Sequence, residues 1–191
     1  LLMKGLRQSY FLIAPAALGL AVLARPIIRL LFERGEFSPS DTEMASAALV
    51  ILSAGLIAFA SVRVAVTGFY AAKDTRTPVI ISAASMGLNI FLNVVLVGPL
   101  GFRGLAIGST VAFAANFAAI YVLLGRKYGP LWDGAFVTAL VRITVAAATM
   151  AAVAHVAYVQ TAALFDGGDL AVEFAAVAVP IAAAGFVYVV M

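Results

Sequence analysis

The most prominent pattern along the chain is a series of long apolar stretches separated by short polar connections. A helix needs about 20 consecutive apolar residues to cross roughly 30 Å of hydrocarbon, and such stretches recur along the chain. The alternation of apolar and polar residues that marks a membrane β-barrel is absent. The pattern therefore predicts an all-α, polytopic transmembrane helix bundle of about six membrane helices. The predicted spans are residues 9–32, 44–72, 78–97, 105–124, 135–158 and 170–191.

Composition agrees with a membrane protein. The 191 residues are 64% hydrophobic and 11% charged, whereas soluble domains are about half apolar and a quarter charged. The absence of cysteine excludes disulfides and thiol nucleophiles, and the single histidine excludes histidine-based metal clusters. The net charge of +3 comes from dispersed basic residues, so we expect no nucleic-acid partner. The chain starts without Met and stops inside an apolar run, so we expect it to be part of a longer protein.

The connections between the spans differ in their basic charge. Six spans place both termini and the turns near Lys73 and Arg126 on one side of the membrane, where six Lys and Arg residues lie against four on the other. The inside-positive tendency assigns that side to the cytoplasm. In the opposite connection, Ser40 followed by Glu43 predicts a capping box that starts the second span.

The turn "FYAAKDTRTPV" brings charged residues into an apolar neighbourhood. It resembles the Asp-Lys-Thr-Gly-Thr phosphorylation loop of P-type pumps, but Asp74 is followed by Thr75, and no polar stretch could form a nucleotide domain. We therefore expect a cytoplasmic turn or hinge and no enzyme. Thr77 before Pro78 predicts an N-cap followed by proline at the first helical position. The predicted turn residues are Lys73, Asp74, Arg76, Thr77 and Pro78.

Arg63 is the most unusual residue inside a predicted span. It lies ten residues before Lys73, about 15 Å along a helix axis, so it lies near mid-depth if Lys73 marks the interface. An intramembrane arginine is costly and indicates a substrate-binding or gating role. The alternative is that the long second span shifts or tilts, which lets Arg63 extend to the headgroups.

Two stripes of small and polar residues recur every four positions on the third and fourth spans. They predict helix packing, because small residues allow close approach and asparagine supplies interhelical hydrogen bonds. The alternative is a polar cavity in which Asn89, Asn93 and Ser109 offer oxygen ligands to a small cation. The stripes are Ser85, Asn89 and Asn93 on the third span, and Gly104, Gly108, Ala112 and Asn116 on the fourth.

Three motifs carry a family resemblance: "RPIIRLLFERGEF", "FYAAKDTRTP" and "GLAIGSTVA". In this order and spacing they resemble the carboxy-terminal half of the MurJ (MviN) lipid II flippases of the MOP exporter superfamily. The resemblance covers about residues 5–127, and the last two spans match in hydrophobicity and position.

The resemblance implies a fold and a function. Residues 1–130 would be the four-helix part of a MOP/MATE-like carboxy-terminal transport lobe, and residues 131–191 two extra helices that form a groove for a lipid tail. The protein would move the undecaprenyl-pyrophosphate-linked peptidoglycan precursor, lipid II, from the inner to the outer leaflet by alternating access. Its partners would be lipid II, membrane lipids and the amino-terminal lobe of the same protein. Its location would be the bacterial cytoplasmic (inner) membrane.

The resemblance also implies roles for single residues. Arg63 falls where the family tends to carry a basic residue, which suits an electrostatic or gating role. Some members bind sodium through polar residues on the helices that match the third and fourth spans, and Asn89, Asn93 and Ser109 fall there. Asn93 carries an amide where an acid is expected, and the loss of a carboxylate weakens the attraction for a hard cation. No other cofactor is expected.

Two other functions remain open from the sequence. A related MOP exporter could carry another polyprenyl-linked glycan, because substrate choice would reside in the opposing lobe. A structural membrane domain would need no role for Arg63 beyond an interfacial one.

Overall fold

The computed structural model describes residues 2–129 and 134–164, together with residues 178, 185 and 188. Within these residues the chain forms six α-helices, so the predicted all-α class is confirmed. The helices are α1 (Leu2–Val22), α2 (Ala24–Phe32), α3 (Pro39–Ala71), α4 (Arg76–Leu100), α5 (Phe102–Tyr128) and α6 (Gly134–Leu164).

Four of these helices, α3 to α6, are long and apolar enough to cross a membrane, and they coincide with the predicted spans 44–72, 78–97, 105–124 and 135–158. The chain is therefore a multi-pass membrane protein. The sixth predicted span, 170–191, lies outside the described residues except for 178, 185 and 188, which are helical.

The predicted first span, residues 9–32, is not one continuous helix. α1 begins at Leu2 and ends at Val22, and α2 continues from Ala24 after a bend of 71°. Pro26 explains the break because it has no N–H to donate to the carbonyl of Val22, four residues earlier. The two helices form at most one bent span, so the described residues contain four or five crossings.

The start of α3 also differs from the predicted capping box of Ser40 and Glu43. The cap is Ser38, whose hydroxyl accepts a hydrogen bond from the Asp41 amide at 3.3 Å. The Asp41 carboxylate accepts one from the Ser38 amide at 2.9 Å. This reciprocal pair satisfies two otherwise unpaired helix-end donors. Proline is favoured at the first helical position, and Pro39 holds it here, so the box lies two residues earlier than the sequence suggested.

The helices pack in the order α4, α5, α3, α1, α6, and α2 lies beside α3. One buried cluster joins α3, α4 and α5 through Phe69, Ile81 and Ile120. A second joins α1 and α6 through Ala14 and Ala147. α3 therefore holds the centre of the bundle, and α4 and α6 lie at its two sides.

Candidate functional site

A polar cavity of about 280 Å³ lies between α4 and α5. Both predicted polar stripes reach it, because four-residue spacing keeps Ser85 in line with Asn89 on α4 and Ala112 in line with Asn116 on α5. Ser109 joins them from the turn before Ala112. The structure therefore brings together side chains that are 20 or more residues apart along the chain.

A chain of hydrogen bonds runs along one edge of this cavity. The Asn93 amide donates to Asn89 Oδ1 at 3.0 Å, and the Asn89 amide donates to Ser109 Oγ at 3.2 Å. The side-chain oxygens of Asn93 and Asn116 are buried, and neither has a hydrogen-bond partner within the described residues. A buried acceptor without a partner costs about 1–3 kcal/mol, so these two oxygens mark places where a donor or a ligand would be stabilising.

The arrangement of these oxygens does not fit a resident sodium ion. Asn89 Oδ1 and Ser109 Oγ already accept hydrogen bonds, and Asn93 Oδ1 points at the backbone of Gly108 instead of into the cavity. The lining offers amide and hydroxyl oxygens without a carboxylate, which hard cations prefer. Sodium binding through Asn89, Asn93 and Ser109 stays a prediction.

Two glycines let α5 approach α4 closely. A Cβ atom on Gly104 would collide with the carbonyl group of Leu96, and one on Gly108 would collide with Asn93 Oδ1. Both glycines are buried. The GxxxG spacing therefore places two helix backbones in direct contact, as small-residue motifs do in membranes.

Arg63 lies on an exposed face of α3. Its guanidinium carbon lies 5.0 Å from the centre of the Phe59 ring, and this ring contacts Phe113 with centroids 5.1 Å apart. Phe113 lies near the middle of α5, and Arg63 lies one turn beyond Phe59 along α3. Within the described residues no carboxylate pairs with it. Ser61 is two residues from Arg63, so it lies about 160° around the helix from it. Ser61 lines a different cavity, beside α6.

The turn after α3 is built around Asp74. Lys73 adopts a left-handed conformation with a φ of 59°, and the Asp74 amide donates to the Phe69 carbonyl at 3.0 Å. The Asp74 carboxylate accepts hydrogen bonds from the amide of Thr77 at 3.1 Å and from its hydroxyl at 2.9 Å. The predicted capping role of Thr77 is wrong, since α4 begins at Arg76 and the Thr77 side chain donates instead of capping. Pro78 is buried in the first turn of α4.

Asp74 also binds a residue that the sequence did not single out for this site. Lys127 Nζ, near the end of α5, lies 2.6 Å from Asp74 Oδ2. The two residues are 53 positions apart, and only the antiparallel packing of α4 on α5 brings them together. The lysine and the Thr77 donors lower the pKa of Asp74 to about 2. This turn therefore joins α3, α4 and α5 at one end of the bundle.

We expect Asp74→Asn to lower the midpoint of thermal unfolding by a few degrees at pH 7. The folded pKa lies below the usual 3.8, so the ionised carboxylate stabilises the fold above about pH 4. That stabilisation is lost as the pH falls towards 2, so the difference between the two proteins should shrink over this range. Unfolding of the purified protein in detergent between pH 2.5 and 7 measures it.

The matched control for this prediction is Glu36→Gln, which removes an exposed acid from the connection before α3. Asp74→Ala should lower the midpoint further than Asp74→Asn, because asparagine still caps the helix. A difference between wild type and Asp74→Asn that stays constant with pH would contradict the assigned role.

Known proteins resemble the chain over the same helices. A family model described as "Lipid II flippase MurJ" matches residues 1–175. The probable lipid II flippase MurJ of Vibrio cholerae is 43% identical over 117 residues, which cover 61% of this chain and 22% of that protein. That of Rhizobium meliloti is 37% identical over 154 residues, which cover 81% of this chain and 29% of that protein.

A solved structure, "Lipid II flippase MurJ, inward closed conformation", superposes with a TM-score of 0.76 at 25% sequence identity. The match covers 99% of this chain and 37% of that one. The chain thus spans only part of the length of these relatives. Because the family model extends over most of the chain, the chain belongs to the lipid II flippase MurJ family.

Proposed function

We propose that the protein containing this chain moves lipid II, the undecaprenyl-pyrophosphate-linked peptidoglycan precursor, from the inner to the outer leaflet of the bacterial cytoplasmic membrane. The observation that carries the proposal is the family match over residues 1–175. The relatives from Vibrio cholerae and Rhizobium meliloti, which bear this activity in their names, support it. The described helices would form part of one lobe of an alternating-access transporter.

The geometry of α3 supports this proposal. Arg63 is exposed and has no acidic partner within the described residues, so its charge is available to a ligand. Guanidinium groups bind phosphate oxygens through paired hydrogen bonds, which suits a pyrophosphate headgroup. The face of α3 with Arg63 would therefore line the path of the substrate headgroup, opposite the amino-terminal lobe.

The connection around Asp74 supports a mechanical role for α4 and α5. Gly104 and Gly108 allow direct backbone contact at one end of the pair, and the Asp74–Lys127 ion pair joins the other end. Two helices held at both ends move together, so α4 and α5 would act as one rigid part of the rocking lobe. The turn at Lys73 would transmit that movement to α3.

The test of the function is transport by the full-length protein. Reconstituted into liposomes, it should deliver labelled lipid II to the opposite leaflet, and in cells depleted of their own flippase it should restore growth. A polyprenyl-pyrophosphate linked to a different glycan serves as the matched substrate control. Faster transport of that control substrate, or failure to rescue despite normal membrane insertion, would contradict a lipid II flippase.

A further inference from the structure

A second cavity, of about 520 Å³, lies between α1 and α6 and contains two arginines. Arg7 extends from α1 and Arg142 from α6, and both side chains are exposed. Phe11 and Ile143 supply apolar surface beside them, and Thr138 adds a hydroxyl group. The cavity therefore combines two positive charges with an apolar wall.

The positive charge of this cavity is not neutralised within the described residues. None of the residues that line it is acidic, and neither arginine forms an ion pair there. Gly134, the first described residue of α6, also lines the cavity. Both guanidinium groups line the same cavity, and an anion bound there would offset their positive charge.

Both arginines lie towards the same end of the bundle. Arg7 is in the second turn of α1, and Arg142 is eight residues after the start of α6, about 12 Å along its axis. In the orientation predicted from the basic connections, this end faces the cytoplasm. α6 is 31 residues long, about 46 Å, so it is longer than the hydrocarbon is thick. The Arg142 side chain can therefore reach the headgroups of the cytoplasmic leaflet.

The side of α6 next to the cavity is exposed within the described residues, with Val141 and Val145 57% and 58% exposed. The face of α3 that carries Arg63 is separated from the cavity by α1, which packs between α3 and α6. The cavity is thus distinct from the proposed path of the substrate headgroup.

A contact deeper in the membrane fixes the spacing of the two helices. The hydroxyl groups of Tyr10 and Thr144 lie 2.7 Å apart, a hydrogen bond between α1 and α6. Tyr10 is one turn beyond Arg7, and Thr144 is two residues beyond Arg142. The hydrogen bond therefore fixes the separation and register of α1 and α6. Arg142 lies about 160° around α6 from Thr144, so the contact itself does not orient its guanidinium group.

From these features we propose that Arg7 and Arg142 bind the phosphate of an anionic phospholipid from the cytoplasmic leaflet. Each guanidinium would donate paired hydrogen bonds to the phosphate oxygens, and the acyl chains would lie along the exposed Val141 and Val145 of α6, because the Phe11 ring already packs on Tyr188 at 4.9 Å. Basic pockets between membrane helices on the cytoplasmic side bind lipid headgroups in this way. The bound lipid would join α1 and α6. The leaflet follows from the proposed orientation of the transporter.

The experiment titrates the purified full-length protein in neutral detergent with phosphatidylglycerol and, separately, with phosphatidylcholine, and counts bound lipids by native mass spectrometry. We expect preference for phosphatidylglycerol, weakened about tenfold by Arg7→Gln or Arg142→Gln and more by both together. Arg142→Lys should retain part of the affinity, because a lysine keeps the charge but loses the paired geometry.

The matched control is the double variant Arg103→Gln/Arg126→Gln, which removes two exposed arginines at the ends of α5. Equal loss of phosphatidylglycerol binding in the control and in Arg7→Gln/Arg142→Gln would overturn the site. A polyprenyl pyrophosphate that displaces phosphatidylglycerol from the wild type, but does not bind the Arg7/Arg142 variant, would assign the pocket to the substrate and overturn the phospholipid assignment. Lipid II transport by the same preparations is measured in parallel, so failure of the flippase function is seen independently.

Discussion

Replacement of Gly104 by Ala is expected to separate α4 from α5. It should lower the stability of the bundle more than the same replacement at Gly108 or Gly125. The new Cβ would meet the carbonyl group of Leu96, a backbone atom that cannot move away without displacing α4. Overpacking of this kind costs about 1–3 kcal/mol, and alanine's better helix propensity offsets about 1 kcal/mol of that cost. Denaturant unfolding in mixed micelles, followed by circular dichroism, measures the change.

Gly125→Ala is the matched control, because Gly125 lies on the same helix and a Cβ there would meet nothing within 4 Å. It should leave stability unchanged or raise it by about 1 kcal/mol. At Gly108 the obstacle is the Asn93 side chain, so Gly108→Ala should be less harmful, and Asn93→Ala should relieve much of its effect. Similar stability for Gly104→Ala and Gly125→Ala would show that α4 and α5 do not pack as described.

Arg63→Gln should reduce transport of lipid II at least tenfold while the protein remains at normal abundance in the membrane. The expected loss follows from the removal of a charge-assisted pair of hydrogen bonds to a phosphate, which contribute about 1.5–3 kcal/mol. Arg63→Lys should give an intermediate rate, because a lysine keeps the charge without the planar pair of donors. Transport into liposomes and growth of flippase-depleted cells provide two independent measurements.

Arg126→Gln is the control for this variant, since Arg126 is exposed in the last turn of α5. It should transport normally. If Arg63→Gln also transports at the wild-type rate and normal abundance, Arg63 serves only to extend towards the headgroups. The contact of Arg63 with Phe59 would then be its main structural role.

The sequence predicted the spans of α3 to α6 within a few residues, because hydropathy directly reflects the length of helix that lipid can surround. It did not predict the bend between α1 and α2. Hydropathy continues smoothly through Leu23, whereas the break depends on one missing donor at Pro26. The pair Arg25–Pro26 inside an apolar stretch was the available signal, since proline is frequent near the start of a helix.

The sequence likewise predicted one part of the candidate site and missed another. Four-residue spacing placed Asn89 with Ser85, and Gly104 with Gly108, on single helix faces, and the structure brings these faces together. Contacts between residues on helices that are far apart in the sequence could not be predicted, because they depend on which helices pack against each other. In the sequence, Lys127 counted only towards the excess of basic residues on the predicted cytoplasmic side. Its pairing with Asp74 requires α5 to end beside the start of α4.

The bend at Leu23 decides how α2 is coupled to the rest of the bundle. Lys4 and Arg7 leave α1 an apolar stretch shorter than the roughly 20 residues that a span needs, so α1 and α2, bent by 71°, together form at most one span. Beyond the bend, α2 packs beside α3. The Thr42 hydroxyl donates to Glu33 at 2.6 Å and joins the end of α2 to α3. A movement of α3 would therefore carry α2 with it.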